Sequence, residues 1–249
     1  MASSRTGKKR AKTRKATLVA GRRAAPRKRA ARVPPATVET AKEKSDPVAR
    51  SVAHEISKQL LRAYGYVEVR AESVLAEARA RGLVVSTLDE LKAEPLAKRD
   101  ALQTTFVKSA KIWATSHGTT LGSAGVVTMA ADIAALVAVN LRMVQQIALS
   151  YGVDPAAERV DGWALLLVSL GGNVDVLATR ELGTSDRHRA KELATKLLEE
   201  TALTFAKRLR KQAGRAVPIV GAVFGGLSNY AFTTEVGSRA RAFYRDLAP

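Results

Sequence analysis

Cysteine is absent from the 249-residue chain, and histidine occurs only at His54, His117 and His188. Without thiolates the chain forms neither a disulfide scaffold nor a cysteine metal site, and three scattered histidines do not build a histidine-rich metal cage. The sequence also lacks a phosphate-binding loop ending in Gly-Lys-Ser/Thr, an HExxH zinc motif and a GxSxG nucleophile elbow. We therefore predict no metal and no cofactor, and the sequence favours a non-enzymatic protein.

Acidic residues are missing from the start of the chain. The first is Glu39, whereas positions 1 to 35 hold thirteen of the 41 lysines and arginines, so 28 basic and 23 acidic residues remain for the rest. Residues 1 to 45 also lack aromatic side chains and hydrophobic periodicity, so they bury too little apolar surface to offset the entropy of ordering. We predict a disordered basic tail over residues 1–45 and a folded domain over residues 46–249. The tail residues predicted to meet an anionic partner are Lys8, Lys9, Arg10, Lys12, Arg14, Lys15, Arg22, Arg23, Arg27, Lys28 and Arg29.

The remaining chain has helical patterning. Apolar residues recur at three- and four-residue steps, and no alternating strand pattern of useful length occurs. This predicts an all-α fold, a compact helical domain with two Gly-rich apolar helices.

Capping signals predict where several helices begin. We expect a helix that begins at Asp46-Pro47 and carries one apolar stripe from Val52 to Gly82, and then a capping box formed by Thr87 and Glu90. Further helix starts are expected at Asp154-Pro155, Ser185 and Pro218, and Gly152 is expected to end the helix before it.

Two segments are rich in glycine and small apolar residues, residues 118–139 and residues 216–227. Small residues let helices approach one another closely. The stretch from Leu121 to Val139 is long enough to span a bilayer, but a charge such as Asp132 near its centre costs on the order of 3 kcal/mol. We therefore expect a buried core, or contact with a bilayer surface, rather than a stable span.

Several polar residues lie within these apolar surroundings. A buried polar or ionised group needs a partner, so they are candidates for an internal hydrogen-bond network across facing helices. Such a network is either purely structural or a site for a small ligand or ion. The candidate buried polar group is Asp132, Asn140, Arg142, Asn229 and Glu235.

Two stretches resemble the EcsC-like family. One is Gly125-Val-Val-Thr-Met-Ala-Ala-Asp132, followed by Leu141-Arg142, Ile147-Ala148, Tyr151-Gly152 and Asp154-Pro155. The other is Val217-Pro-Ile-Val-Gly221-Ala-Val-Phe-Gly225-Gly226, with Asn229-Tyr-Ala-Phe232 and Ala240-Arg-Ala-Phe-Tyr244. The resemblance covers about residues 100 to 246 and leaves the basic tail outside. It implies a helical domain often suspected of membrane association, with no agreed activity or catalytic residues to carry over.

Together these features predict a non-enzymatic helical domain that associates peripherally with an anionic membrane surface or a membrane protein, aided by the tail. No secretory signal is recognisable, so we expect a cytoplasmic protein that can lie at the inner membrane face. One alternative is a nucleic-acid-associated protein whose tail neutralises phosphates. Another is a small-ligand binder or enzyme that uses the candidate buried polar group.

Overall fold

The computed structural model describes residues 47–64, 67–120, 126–213 and 218–248. Over these ranges the chain forms nine α-helices and one 3-10 turn and has no strand, which confirms the all-α prediction. The predicted disordered tail lies outside the described residues. The elements are α1 (Pro47–Tyr64), α2 (Ala71–Ala80), α3 (Leu88–Ala93), α4 (Leu96–Thr120), α5 (Val126–Ser150), a 3-10 turn (Ala157–Arg159), α6 (Val160–Ser169), α7 (Val176–Ser185), α8 (Arg187–Ala213) and α9 (Pro218–Leu247).

The central helix is α5, which packs against α1, α4, α6 and α9 and also touches α2 and α3. Its side chains Val137, Leu141 and Ile147 are fully buried in the main core together with Trp163 of α6. A second, smaller core lies beneath α2, α3 and the first half of α4, and Leu149 of α5 belongs to it. Both cores therefore rest on α5.

Among the described helices, one segment is long and apolar enough to cross a membrane by length and composition. It is Ala130–Ser150 within α5, and 72% of an 18-residue stretch of this segment is buried inside the protein. That degree of burial is typical of a core helix, because a spanning helix needs an apolar face toward lipid.

The predicted single stripe from Val52 to Gly82 is wrong, because the chain divides it into α1 and α2. Between them Val67 and Val69 are buried in a non-helical segment. Gln145 of α5 holds this segment, since its Oε1 accepts a hydrogen bond from the Val69 N–H at 3.2 Å and its Nε2 donates to the Val67 carbonyl at 3.0 Å. The predicted stripe included Val67, which lies in this non-helical segment.

The predicted capping box at the start of α3 is confirmed. The Thr87 hydroxyl accepts a hydrogen bond from the Glu90 N–H at 3.2 Å. The Glu90 carboxylate accepts from the N–H of Ser86 at 2.5 Å, one residue before the cap. Two N–H groups that the helix leaves unpaired are thereby satisfied.

Gly152 has a φ of +71°, in the left-handed region that the predicted helix stop requires. The predicted start at Asp154-Pro155 is wrong, because α6 begins only at Val160. Glu158 and Arg159 in the intervening 3-10 turn both adopt a φ of +53°, which non-glycine residues adopt only at a cost.

The Asp161 carboxylate accounts for this delayed start. It accepts hydrogen bonds from the N–H of Ala156 at 3.3 Å and of Gly162 at 2.9 Å. The Asp161 side chain in the first turn of α6 thus binds the backbone of the segment that precedes this helix.

Ser185 was predicted to cap α8, but Asp186 does so. Its carboxylate accepts from the N–H groups of His188 at 2.9 Å and Arg189 at 3.1 Å. Ser185 is instead the last residue of α7, a helix that the sequence analysis did not anticipate and that Asp175 caps through the Ala178 N–H at 3.0 Å. The prediction that Pro218 begins the last helix is confirmed.

Replacing Gln145 with leucine tests the tie between α5 and the segment before α2. Gln145→Leu leaves the Val67 carbonyl and the Val69 N–H buried without their partner, so we expect a loss of about 1 to 3 kcal/mol in the free energy of unfolding. Urea denaturation followed by circular dichroism measures this loss. The control is Gln146→Leu at a half-buried neighbouring position, and equal stability of the two variants would contradict the assigned role of Gln145.

Candidate functional site

Helices α4 and α9 run antiparallel. The Asn229 side chain donates a hydrogen bond to the Ala114 carbonyl at 3.3 Å, and Arg241 lies 3.1 Å from Asp100. The residue number along α4 therefore decreases as the residue number along α9 increases. Five residues join α4 to α5, and four join α8 to α9. The C-terminus of α4 and the N-termini of α5 and α9 therefore lie at one end of the domain, which we call the apolar end.

Both glycine-rich segments begin at this apolar end. Residues 118–139 include the last turn of α4 and the first half of α5, and residues 216–227 include the first turns of α9. The sequence analysis treated them as two separate features. The antiparallel order of the helices brings their starting points together.

Large apolar side chains at the apolar end are exposed to solvent. Ile112 is 61% exposed and Trp113 is 50% exposed on α4, and Leu227 is 61% exposed and Tyr230 is 47% exposed on α9. The Lys111 ammonium lies 4.8 Å from the centre of the Tyr230 ring. Apolar and aromatic side chains beside a lysine are typical of surfaces that meet a lipid interface.

Helix α1 also begins at the apolar end. Its C-terminal side leads to Val67, which is bonded to Gln145 near the end of α5, and Leu60 shares a crevice with Ala134 and Val137. Helices α1 and α5 therefore run parallel, and Pro47 lies toward the N-terminus of α5. The predicted basic tail, outside the described residues, is joined to the chain at this point.

The opposite end of the domain carries a charged cluster, which we call the Asp100 cluster. One oxygen of Asp100 accepts a hydrogen bond from the Tyr151 hydroxyl at 2.5 Å. The other faces Arg241 at 3.1 Å and Arg245 at 3.5 Å. Asp100 thus ties the start of α4 to the residue that follows α5 and to the last turns of α9. Nearby, the buried Arg99 donates to the Tyr151 carbonyl at 3.1 Å, where its charge suits the C-terminus of α5.

This cluster shifts the pKa values of its members. Burial raises the pKa of Tyr151 to about 12, helped by the hydrogen bond to the Asp100 carboxylate. Partial burial acts to raise the pKa of Asp100, but the hydrogen bonds from Tyr151 and Arg241 and the nearby arginine charges hold it below its usual value. Asp100 is therefore ionised and Tyr151 neutral at neutral pH.

A second ion pair is buried beside the 3-10 turn. Asp161 is 1% exposed and binds the Arg180 guanidinium at 2.5 Å, and Arg180 also donates to the Asp154 carbonyl at 2.7 Å. Tyr244 of α9 is fully buried there, and burial together with the Asp161 carboxylate raises its pKa well above the usual value. The Arg180 contacts hold α7 against the start of α6 and the chain before the turn.

A model of the EcsC protein family matches residues 7–246. The chain belongs to the EcsC family. The match reaches farther than the resemblance did, since it includes most of the basic segment that the sequence analysis left outside.

A relative in Bacillus subtilis (strain 168), "Uncharacterized protein YdbA", is 28% identical over 170 residues. The aligned region covers 65% of this chain and 62% of the relative, so less than two thirds of that protein's length is represented here. No solved structure matches the chain.

The C-terminal parts of the two stretches that carry the EcsC resemblance meet at the end opposite the apolar end. Tyr151 and Asp154 belong to the first stretch, and Arg241 and Tyr244 belong to the second. Tyr151 and Arg241 share Asp100, and Asp154 accepts from Arg180 in the ion pair next to Tyr244. In this EcsC domain these four motif residues therefore lie where the ends of helices distant in sequence meet.

The candidate buried polar group does not gather in one place. Asn140 is fully buried and donates to Thr233 of α9 at 3.2 Å, which is a polar contact across facing helices. Asn229 is half-buried and bonds to the α4 backbone, and Asp132 is half-buried near the start of α5.

The prediction that Arg142 and Glu235 belong to a buried polar group is wrong, because both side chains are exposed. Glu235 pairs with Arg239 on the same helix at 2.6 Å. Arg142 lines a cleft between α4 and α5. Arg142 lies two positions after the inward-facing Asn140, and Glu235 lies two positions after the inward-facing Thr233. Two residues along a helix rotate the side-chain direction by about 200°, so Arg142 and Glu235 face outward.

Other predicted positions can also be placed. The side chains of His54 and His188 are exposed. His117 and the tail residues Lys8 to Arg29 lie outside the described side chains. Over the ranges that the structure describes, no group of three or more histidine, aspartate or glutamate side chains is arranged to hold a metal ion.

Replacing Asp100 with asparagine tests the charge of the Asp100 cluster. An amide oxygen still accepts the Tyr151 hydrogen bond, so Asp100→Asn removes mainly the attraction to Arg241 and Arg245. We expect a loss of about 1 kcal/mol or more in the free energy of unfolding at pH 7. Because the folded-state pKa of Asp100 is depressed, this contribution is present above its unfolded value near 3.8 and is lost as pH falls through the folded value.

Urea denaturation at pH 7 and at steps from pH 5 to about pH 2.5 measures this difference. The gap between the two proteins should narrow as the pH falls. Asp246→Asn, at an exposed position, is the control and should change stability by no more than about 0.5 kcal/mol. A gap that stays constant down to the lowest pH would show that the charge of Asp100 does not stabilise the cluster.

Proposed function

We propose that this EcsC domain associates peripherally with anionic membrane surfaces through its apolar end. The observation that carries the proposal is the convergence of three features at that end. The two glycine-rich segments begin there, large apolar side chains are exposed there, and the start of α1 joins the domain to the basic segment there.

The exposed side chains supply the apolar part of the interaction. Ile112 and Leu227 are each 61% exposed, so insertion into the interface removes much of their apolar surface from water. Full burial of a side chain of this kind contributes about 1.5 to 3 kcal/mol. Trp113 and Tyr230 suit the headgroup level, where an aromatic ring is buried while its polar edge stays hydrated.

The basic segment supplies the electrostatic part. Thirteen lysines and arginines lie within residues 1–35. Each contributes about 1 kcal/mol when it is held near an anionic leaflet, and the attraction decays within a Debye length. Combining a modest apolar insertion with a polybasic segment gives stable but reversible anchoring, as two weak membrane signals do.

The buried state of α5 favours lying on the membrane over spanning it. Its apolar residues are already used in the core, where Val137 and Leu141 contact other helices. The surface that meets lipid is therefore the apolar end of the domain and not the length of α5. A membrane protein with an apolar surface would meet the same end, and the liposome experiment separates the two partners because it contains lipid alone.

Flotation with liposomes tests the proposal. Full-length protein is mixed with vesicles of phosphatidylcholine alone or with about 30% phosphatidylserine, whose negative surface potential attracts basic segments. We expect flotation with the anionic vesicles and weaker flotation with the neutral ones. The double variant Ile112→Ser with Leu227→Ser should float several-fold less, and deletion of residues 1–45 should remove most of the preference for anionic lipid.

The control is the double variant Leu177→Ser with Leu182→Ser. These α7 leucines are 48% and 44% exposed and belong to the end opposite the apolar end. Their replacement should leave flotation unchanged. Absence of flotation in every lipid mixture, with or without the basic segment, would reject the proposal, as would an equal effect of the two double variants.

A further inference from the structure

A cleft of about 460 Å³ lies between α4 and α5. Its walls are built from small side chains, among them Ala110 of α4 and Ala135 and Ala138 of α5. Because an alanine side chain fills little of the space between two facing helices, this side of the α4–α5 contact stays open. The volume falls within the range of about 300 to 1,000 Å³ that is typical of small-ligand sites.

The two ends of the cleft differ in chemistry. Arg142 and Gln146 lie one helical turn apart on α5 and line one end, next to Phe106. Trp113, half exposed, lines the other end, on the side of the apolar end. A cation and an amide at one end and an aromatic ring at the other make the cleft amphipathic along its length.

Arg142 is available to a ligand. Its side chain is exposed, and it forms no ion pair with any residue that the structure describes. Its planar guanidinium fork matches the two oxygens of a carboxylate.

The dimensions select a chain rather than a ring or a helix. From Ala135 to Gln146 the wall of α5 is about 16 Å long, at 1.5 Å per residue. An extended alkyl chain of roughly a dozen carbons has this length. A peptide helix, about 10 Å across with its side chains, is too wide for a cleft of this volume and length.

We propose that the α4–α5 cleft binds a single-chain aliphatic carboxylate, a fatty acid of about a dozen carbons. The carboxylate lies on Arg142 with Gln146 donating beside it, and the chain lies along the alanines toward Trp113. One guanidinium matches one negative charge, which favours a carboxylate over a phosphate group carrying more charge and more acceptor oxygens. This binding site shares Trp113 with the proposed membrane contact but does not depend on that contact.

Laurate, a saturated acid of twelve carbons, is the probe. It is titrated below its micelle-forming concentration into full-length protein without membranes, and binding is followed by calorimetry and tryptophan fluorescence. Trp163 is 1% exposed and Trp113 is 50% exposed, so a blue shift on binding reports Trp113. We expect saturable binding with this shift, and dodecylamine, with the opposite charge, should bind at least about tenfold more weakly.

Two variants and a matched control locate the site. Arg142→Gln removes the cation at an exposed position and should weaken laurate binding by about tenfold or more. Ala138→Phe fills the cleft and should weaken it by a similar factor. Arg62→Gln changes an exposed arginine of α1 and should leave the affinity unchanged.

Three results would overturn the proposal. They are no saturable laurate binding by the unmodified protein, equal affinities of the Arg142→Gln and Arg62→Gln variants, and dodecylamine binding as tight as that of laurate. Circular dichroism verifies that Ala138→Phe is folded, and Arg142→Gln keeps the test decisive if it is not. Flotation of Arg142→Gln with anionic liposomes should match that of the unmodified protein, so failure of the fatty-acid site and failure of the membrane contact are told apart.

Discussion

Burial of α5 on most of its sides is the constraint on which the rest of the domain depends. Residues such as Val137, Leu141 and Ile147 leave water only if other helices cover them, and α1, α4, α6 and α9 do so. Short connections then force α4 to run antiparallel to α5. The antiparallel pairing of α9 with α4 follows from their own contacts, and together these directions decide which residues share an end.

The two ends of the domain differ in the chemistry of their side chains. At the end opposite the apolar end, the Asp100 cluster and the Asp161–Arg180 pair satisfy charges and backbone groups from chain segments far apart in sequence. At the apolar end, Ile112, Trp113 and Leu227 remain in contact with water. Charged contacts therefore dominate one end of the described domain, and exposed apolar side chains mark the other.

The polar residues of α5 show how one helix serves several purposes. Asn140 faces α9 and bonds to Thr233, Gln145 bonds to the segment before α2, and Arg142 faces the cleft. Consecutive residues turn by about 100° around a helix, so positions two or three apart point to different neighbours. Grouping Asn140 with Arg142 ignored this rotation, and the same geometry separates Thr233 from Glu235. That error could have been found from the sequence with a helical wheel.

Local and periodic features were determined by the sequence itself. The all-α class, the capping box at Thr87, the stop at Gly152 and the start of α9 at Pro218 follow from side-chain chemistry within a few residues. The tertiary structure decided what depends on contacts between distant residues. Gln145 is bonded to Val67 across 78 positions, Tyr151 to Asp100 across 51, and Asp161 to Arg180 across 19. Spacing along one chain carries no record of such partners, because they come together only when the burial of α5 sets the directions of the helices around it.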